Sequence, residues 1–330
     1  MISREEPAAE WKDSIMRAVV VNRFGGPEVL ELVDTERPEP GPGEILVRVH
    51  AAGLNPADWK IRAGHIAHIG EPPIIPGLDV SGVVEQTGAG VTMFAAGDEV
   101  YASKRSKAGT YAQYVVVGES DAAHKPAGVS HIEAAALPTA VLTAWQVLHY
   151  GAELKPGQRV LIHAASGGVG HLAVQIAKAA GAHVIGTARA GNHAFLRELG
   201  ADELIDYREQ DFAEVLADEA ALVDVVVDAI GGDYGPRSLS VLRPGGILLS
   251  ISGTGSDRPV TPADAVALGL RYAEFGYRPS GADLDQVAEL VASGALRVHV
   301  DKTFRLEDVA EAHRFIETGR VRGKAVLTLR

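Results

Sequence analysis

The sequence has no cysteine, which excludes disulfides, thiolate nucleophiles, iron–sulfur clusters and every cysteine-ligated zinc site. Basic residues are in deficit. Lys and Arg total 31 against 43 Asp and Glu, a formal charge of −12, so no general attraction to nucleic-acid phosphates or anionic lipid is expected. Long apolar runs are also missing: stretches such as Leu222 to Ile230 are too short and too interrupted by charge to cross a bilayer. The leader Met1 to Ile15 carries Glu5, Glu6, Glu10 and Asp13 and no apolar run, which reads as a flexible segment and not as a secretion signal. A cytoplasmic protein without nucleic-acid or membrane partners is expected. What the chain does have is length and ordinary globular composition, 330 residues with 46% apolar and 22% charged, enough for two domains with a core in each.

Two patterns divide the chain. From Met16 to Pro138, short β-type runs (Arg17 to Val21, Glu44 to Val49, Asp79 to Val84, Tyr114 to Val117) alternate with clusters such as Pro38 to Gly43 and Pro72 to Gly77, predicting a β-rich barrel or folded sheet. From Thr139 strand and helix patterns alternate: strands at Arg159 to His163, His183 to Thr187, Glu203 to Asp206, Leu222 to Ala229 and Gly246 to Ser252, with helices at His171 to Ala180, Asn192 to Leu199, Phe212 to Asp218 and Pro236 to Leu242. That alternation predicts βαβ units and a doubly wound parallel sheet. Past Pro279 the expectation is a helix at Leu284 to Ser293, a strand at Leu296 to Val300, a helix at Leu306 to Glu317 and a closing strand at Ala325 to Leu329. Periodicity leaves open which sheet these join.

Ala165-Ser-Gly-Gly-Val-Gly170 lies between a predicted strand and a predicted helix, the setting that a dinucleotide-binding turn requires. Gly167 allows close approach of a pyrophosphate and Gly170 close helix–strand packing, while the helix N-terminus offers free N–H groups and positive dipole to the anion. Ala165 replaces the first glycine of the usual fingerprint. At the end of the next strand the acid that would bind the ribose hydroxyls of NAD is absent. Thr187, Arg189 and Asn192 stand there instead, donors suited to a 2′-phosphate, so NADPH is favoured over NADH; the plainer reading of Arg189 is an exposed loop arginine. A rival use of the same turn is the serine elbow of an α/β-hydrolase, with Ser166 as nucleophile and His299 or His313 as base.

The chain resembles the medium-chain dehydrogenase/reductase superfamily, in its zinc-free quinone-oxidoreductase branch, from about Met16 to Arg330. The resemblance rests on Gly53 to Asp58, Pro76 to Gly82, Ala96 to Val100, Gly109 to Tyr114, Ala164 to Gly170, Leu199 to Asp202, Arg243 to Gly246 and Gly323 to Val326. It implies a GroES-like catalytic domain made from both ends of the chain (16–138 and 279–330), a Rossmann NADPH-binding domain (139–278), an active site between them, and a homodimer. Where the zinc-dependent relatives have Gly-His-Glu, this chain reads Gly77-Leu78-Asp79, and leucine cannot coordinate zinc. His65, His68 and Glu71 form the only compact metal-like cluster, read more simply as a solvated loop.

Without a Lewis acid, the hydride chemistry expected is delivery to an already activated acceptor, an α,β-unsaturated carbonyl or a quinone, with donors at the oxygen where negative charge develops. The run Asn55, Pro56, Ala57, Asp58 and Lys60 is similar to that of plant alkenal and enone reductases, which favours an enone substrate. It makes Lys60 and Asn55 candidate donors and Asp58 their neighbour; the plainer reading of Asp58 and Lys60 is a surface pair. The resemblance further implies Thr143 near the nicotinamide, Ser166, Gly167, Gly168, Val169 and Gly170 at the pyrophosphate, Tyr207 near the adenosine phosphate and Ile230 at the ribose. It places the Ile251 to Gly253 segment, with Ser252, and Phe275 to Tyr277 at the carboxamide edge, and Lys324 at a cofactor phosphate. No metal ligand set is assigned. A non-catalytic NADPH-binding sensor is the alternative outside enzymology.

Overall fold

The computed structural model describes residues 14–251 and 260–329. Met1 to Asp13 of the leader, and Ser252 with its neighbours to 259, lie outside the described residues.

The β-branched runs of the first half pair as strands: β1 (Ile15–Val21), β2 (Leu30–Glu36), β3 (Glu44–Leu54), β4 (Asp79–Thr87), β5 (Glu99–Ser103), β6 (Tyr114–Gly118) and β7 (Ala122–His124). The long strand β3 organises them. It pairs antiparallel with β4 along its length and shows register shifts at Leu46/Val47 and Val49/Ala51, irregularities that bend a strand. Its first half also pairs with β6. The helix α1 (Pro56–Arg62) follows directly, so the end of β3 aims the Asn55 to Arg62 segment.

Short helices α2 (His131–Ala135) and α3 (Pro138–Gln146) lead into the second half, α2 opened by a Ser130/Glu133 capping box. There β8 (Arg159–Ile162), β9 (His183–Thr187), β10 (Glu203–Ile205), β11 (Val223–Asp228), β12 (Leu242–Ser250) and β13 (Arg271–Glu274) alternate with α4 (Gly170–Ala179), α5 (His193–Glu198), α6 (Phe212–Val215), α7 (Tyr234–Leu239) and α8 (Pro262–Ala267). The strands run parallel in the order β10-β9-β8-β11-β12-β13. Successive side chains on a strand face opposite ways. Thus Val160 and Ile162 pack with Leu172, Ala173 and Ile176 of α4, whereas Leu161 packs with Phe212, Leu216 and Leu239. Burial on both faces is what a parallel sheet needs. The strand order reverses at β8, and the crevice at such a switch point is where an open α/β sheet takes its ligand. The glycine turn follows β8 directly.

After α9 (Gly281–Ala292) the chain returns to the first half. β14 (Val300–Arg305) pairs parallel with β15 (Lys324–Thr328), which pairs antiparallel with the second half of β3, across the connecting helix α10 (Val309–Glu317). The strand expected at Leu296 to Val300 lies instead at Val300–Arg305. The amides of Arg297 and His299 donate to the side chains of Gln175 and His171 on α4, so this stretch crosses a helix and joins no ladder. One apolar cluster unites the halves, with Tyr101 and Ala123 of the first, Leu142 of α3, Leu172 of α4 and Leu284 and Val287 of α9. No helix among the described residues is long and apolar enough to cross a membrane.

Candidate active site

The turn after β8 is tightly built. Ala164 takes φ +49°, a left-handed conformation rarely adopted by a residue with a Cβ. This lets its carbonyl accept the Gly167 N–H at 2.9 Å. At Gly170 a Cβ would lie 2.4 Å from that same carbonyl oxygen and 2.7 Å from the Ala165 Cα, so only glycine permits the turn to pack on α4. The N–H groups of Gly168, Val169 and Gly170 have no hydrogen-bond partner among the described residues. They sit at the α4 N-terminus, an arrangement fitted to a pyrophosphate. His171 anchors the turn: it bonds the Gly167 carbonyl through Nδ1 (2.9 Å) and accepts the His299 N–H at Nε2 (3.2 Å). A carbonyl only accepts and an amide N–H only donates, so the proton is on Nδ1. Burial pushes this imidazole down to about 4, keeping it neutral. Gly323 N–H donates to the Ser166 carbonyl, tying the turn to β15.

The loop after β9 lies beside this turn. Asn192 Nδ2 donates to Ser166 Oγ at 2.9 Å and Arg189 Nε to Tyr207 Oη at 2.9 Å. Asp206 accepts the Ala190 N–H and the Arg208 guanidinium, which holds its carboxyl well below the usual range. Thr187 does not share this setting: it is fully buried, its hydroxyl 3.2 Å from His163 Nδ1, so it offers no donor to a phosphate in the loop. Ile230 stands at the end of β11, its N–H and that of Gly231 both received by Asp228 Oδ1. Phe275 follows β13, its amide on the Ser250 carbonyl. Thr143 Oγ1 donates to the Thr139 carbonyl.

A buried polar cluster lies where β3, β4, β15 and α3 meet. Lys324, 3% exposed, donates its ammonium to the Leu54 carbonyl at 2.8 Å and to Asn55 Oδ1, and lies 3.6 Å from Asp79 Oδ2. Asn55 Nδ2 donates to that carboxylate oxygen at 2.9 Å. Asp79 Oδ1 in turn accepts the N–H and hydroxyl of Thr139 at 2.8 and 2.6 Å. The Asn55 amide therefore has one orientation, because an ammonium can only donate to its oxygen and a carboxylate can only accept from its nitrogen. Asn55 is the N-cap of α1, and its N–H donates to Asp58 Oδ2 at 2.7 Å. Asp58 is fully buried, takes a second bond from Tyr111 Oη at 2.8 Å, and leaves Oδ1 without a partner among the described residues. Burial pushes its carboxyl up to about 7. The Tyr277 hydroxyl lies 3.0 Å from Thr139 Oγ1 and 2.9 Å from Ser103 Oγ; burial raises this phenol to about 12.

The Lys324 stem crosses the glycine turn, its Cδ 3.2 Å from where a Gly168 Cβ would stand, but its ammonium points away from the turn into the Asn55 cluster. The Lys324 ammonium is in contact with Asn55, and Lys60 is half-buried on α1 with its ammonium 6.0 Å from the Trp59 ring. Asp79 and Thr139 were not singled out as site residues from the sequence. The available signal was a carboxylate at the Gly-His-Glu position and a lysine opening an apolar strand.

The hydrolase alternative lacks a base at its serine. His299 Nε2 accepts from Arg322 and His313 Nδ1 is paired with Arg62, and neither histidine bonds Ser166. His65 packs edge-on against Trp59 while His68 accepts from Arg105, so the two rings turn to different partners. A catalytic zinc does not fit beside Asn55: Leu78 lies in an apolar cluster with Ile61, Ile69 and Ile74, and the cation held by Asp79 and Asn55 is the Lys324 ammonium.

Residues 41–127 match the family model described as alcohol dehydrogenase GroES-like domain, and residues 199–327 that described as zinc-binding dehydrogenase. NAD(P)H oxidoreductase RTN4IP1, mitochondrial, of Mus musculus is 33% identical over 96% of this chain and 90% of its own length. The 2-haloacrylate reductase of Burkholderia sp is 34% identical over 95% of this chain and 99% of its own. Among solved structures, the quinone oxidoreductase from Coxiella burnetii superposes with a TM-score of 0.86 at 37% identity, over 96% of this chain and 100% of the other.

Proposed function

The chain belongs to the medium-chain dehydrogenase/reductase superfamily and is an oxidoreductase, and we propose that it is a zinc-independent NADPH reductase of the C=C bond of α,β-unsaturated carbonyl compounds. The observation that carries this reading is the fixed amide of Asn55. One of its Nδ2 hydrogens goes to Asp79. The second is oriented by the same contacts and serves as donor to the substrate carbonyl oxygen.

In this reading the chain's residues stabilise charge on that oxygen. A preoriented N–H in a site with little water is worth far more than the same group in solution. Behind it, the Lys324 ammonium holds the amide oxygen and contributes positive charge without touching the substrate, so Lys324 is a positioning residue. Burial lowers the Lys324 pKa, while Asp79 and Asp58 act against that shift. Solvent, or a hydroxyl of the Thr139–Tyr277–Ser103 group, returns the proton to the α-carbon.

The residues that would hold the dinucleotide are the Gly168 to Gly170 amides for the pyrophosphate, Arg189, Asn192 and Tyr207 for a 2′-phosphate, and Ile230 and Phe275 along the ribose and nicotinamide. When bound, NADPH supplies the hydride that goes to the β-carbon. The strand order supports a homodimer: β13 is the outermost strand of its sheet, and just before it Val266 and Leu268 are 72% and 61% exposed, large apolar side chains suited to cover by a second copy. The reading keeps domains at 16–138 with 279–330 and 139–278, and a cytoplasmic location.

Initial rates of NADPH oxidation with an acyclic enone and with a benzoquinone, with the enone product identified by mass and NMR, test the proposal. Faster formation of saturated ketone supports it. Quinone-only turnover would establish the second reading, which the name of the Coxiella structure favours. NADPH binding without turnover of either would leave a sensor.

A further inference from the structure

The segment after β5 carries a basic residue to the edge of this site. Ser103, the last residue of β5, is fully buried with its hydroxyl on Thr139 and Tyr277. Two residues on, Arg105 is exposed, and its guanidinium lies 5.5 Å from the centre of the Tyr277 ring. Nη1 donates to the Tyr277 carbonyl at 3.0 Å and Nη2 to His68 Nε2 at 3.1 Å. One tyrosine ring thus separates this cation from the Thr139–Asp79–Asn55 network.

Like Arg189, Arg105 forms no ion pair with a carboxylate of the described residues, whereas Arg48, Arg62 and Arg237 do. Its two acceptors take one hydrogen each from Nη1 and Nη2, which leaves Nε–H and the second hydrogen of each terminal nitrogen as further donors. Because arginine only donates, His68 accepts at Nε2 and holds its own proton at Nδ1, adding a donor beside the guanidinium. The side chain is held by the ring face and two hydrogen bonds, so less rotamer entropy is lost when it binds a carboxylate in a bidentate manner.

We infer that Arg105 is a specificity-determining residue that recognises a carboxylate on the substrate, so that the preferred enones are anionic ones. The carboxylate is a group distinct from the activating carbonyl, a few carbons from the double bond. This rests on the double-bond reductase reading, and names the substrate class for it.

The test compares a methyl enone whose chain ends in a carboxylate two methylenes beyond the double bond with its methyl ester. For the wild-type enzyme, kcat/KM is expected to favour the acid and to fall with added salt on the acid alone. Arg105→Gln is expected to lower the acid-to-ester ratio of kcat/KM by about 10–100-fold, mostly through KM on the acid, the effect of losing a hydrogen bond to a charged group. Arg105→Lys keeps the charge and should recover part of the ratio. A ratio unchanged in Arg105→Gln, with both substrates falling together, would make Arg105 a clamp on Tyr277 and overturn the inference while leaving the reductase reading standing. Wild-type enzyme that reduces neither substrate would overturn both.

Discussion

Lys324 donates its ammonium to the side-chain oxygen of Asn55 across 269 residues of sequence. The contact joins the closing strand to the first helix, and the stem of the same lysine lies on the glycine turn. A cofactor at that turn and a substrate at Asn55 would therefore meet on either side of one side chain.

Replacing Asn55 with leucine removes the donor and keeps similar volume. A kcat lower by about 100–1000-fold with little change in NADPH affinity is expected, the usual effect of losing one oxyanion donor. Steady-state kinetics with an enone and a separate NADPH titration measure the two quantities; loss of NADPH binding alone would refute the role.

Lys324→Met should act through Asn55. It strands Asp79 in a buried site, for which about 3–5 kcal/mol of destabilisation is expected, and its kcat deficit should not add to that of Asn55→Leu in the double variant. Urea unfolding and the double-mutant cycle read these out. Additive kcat losses would give Lys324 a role independent of Asn55.

Asp58 confers a pH dependence on stability whose sign follows from burial. Its carboxyl sits near 7 in the folded chain against about 3.9 when unfolded, so between these values the folded state binds more protons. The stabilisation is complete below the unfolded value and is lost as pH rises toward 7, by an amount of order a few kcal/mol. Asp58→Asn keeps an acceptor for Tyr111 and Asn55 without a titrating proton. Compared at about pH 5 and about pH 8, the urea midpoint of the wild type should fall relative to that of Asp58→Asn. Parallel midpoints would show that Asp58 is ionised throughout.

Gly170→Ala drives a methyl to 2.4 Å from the Ala164 oxygen. A cost of about 1–3 kcal/mol from overpacking is expected, with loss of dinucleotide binding as the turn shifts. Thermal unfolding and NADPH fluorescence titration check it; undiminished NADPH affinity would place the phosphate site elsewhere.

Arg189→Ala should raise KM for NADPH by about 10–100-fold and leave that for NADH nearly unchanged, since only NADPH has the 2′-phosphate and a charged hydrogen bond is worth about 1.5–3 kcal/mol. Equal effects on the two cofactors would remove the basis for NADPH preference.

Much of the architecture was written locally. Strand His183–Thr187 has the bounds that its apolar run predicts, and the helix after the glycine turn begins one residue early and ends one early, because period and terminal glycines are short-range signals. β13 was not legible: Arg271-Tyr-Ala-Glu274 is a short run on the outermost strand, half exposed, with no apolar alternation to mark it. The expected strand at Leu296 failed for a different reason, since its amides bond side chains 122 and 128 residues away, partners invisible to any local window.

The site divides the same way. By itself the sequence determined the glycine turn and the loss of zinc ligands through Leu78 and the absence of cysteine, and it singled out Asn55 and Asp58 as candidates, since each depends on residue type at a fixed short spacing. Only the tertiary structure placed the Lys324 ammonium on Asn55, turned Thr187 inward to His163, and brought Asp79 and Thr139 into the cluster. The physical reason is that a buried ammonium, hydroxyl or carboxylate must find partners when it leaves water. Those partners lie 24, 60 and 269 residues apart, and the last pair meets because β15 pairs with β3.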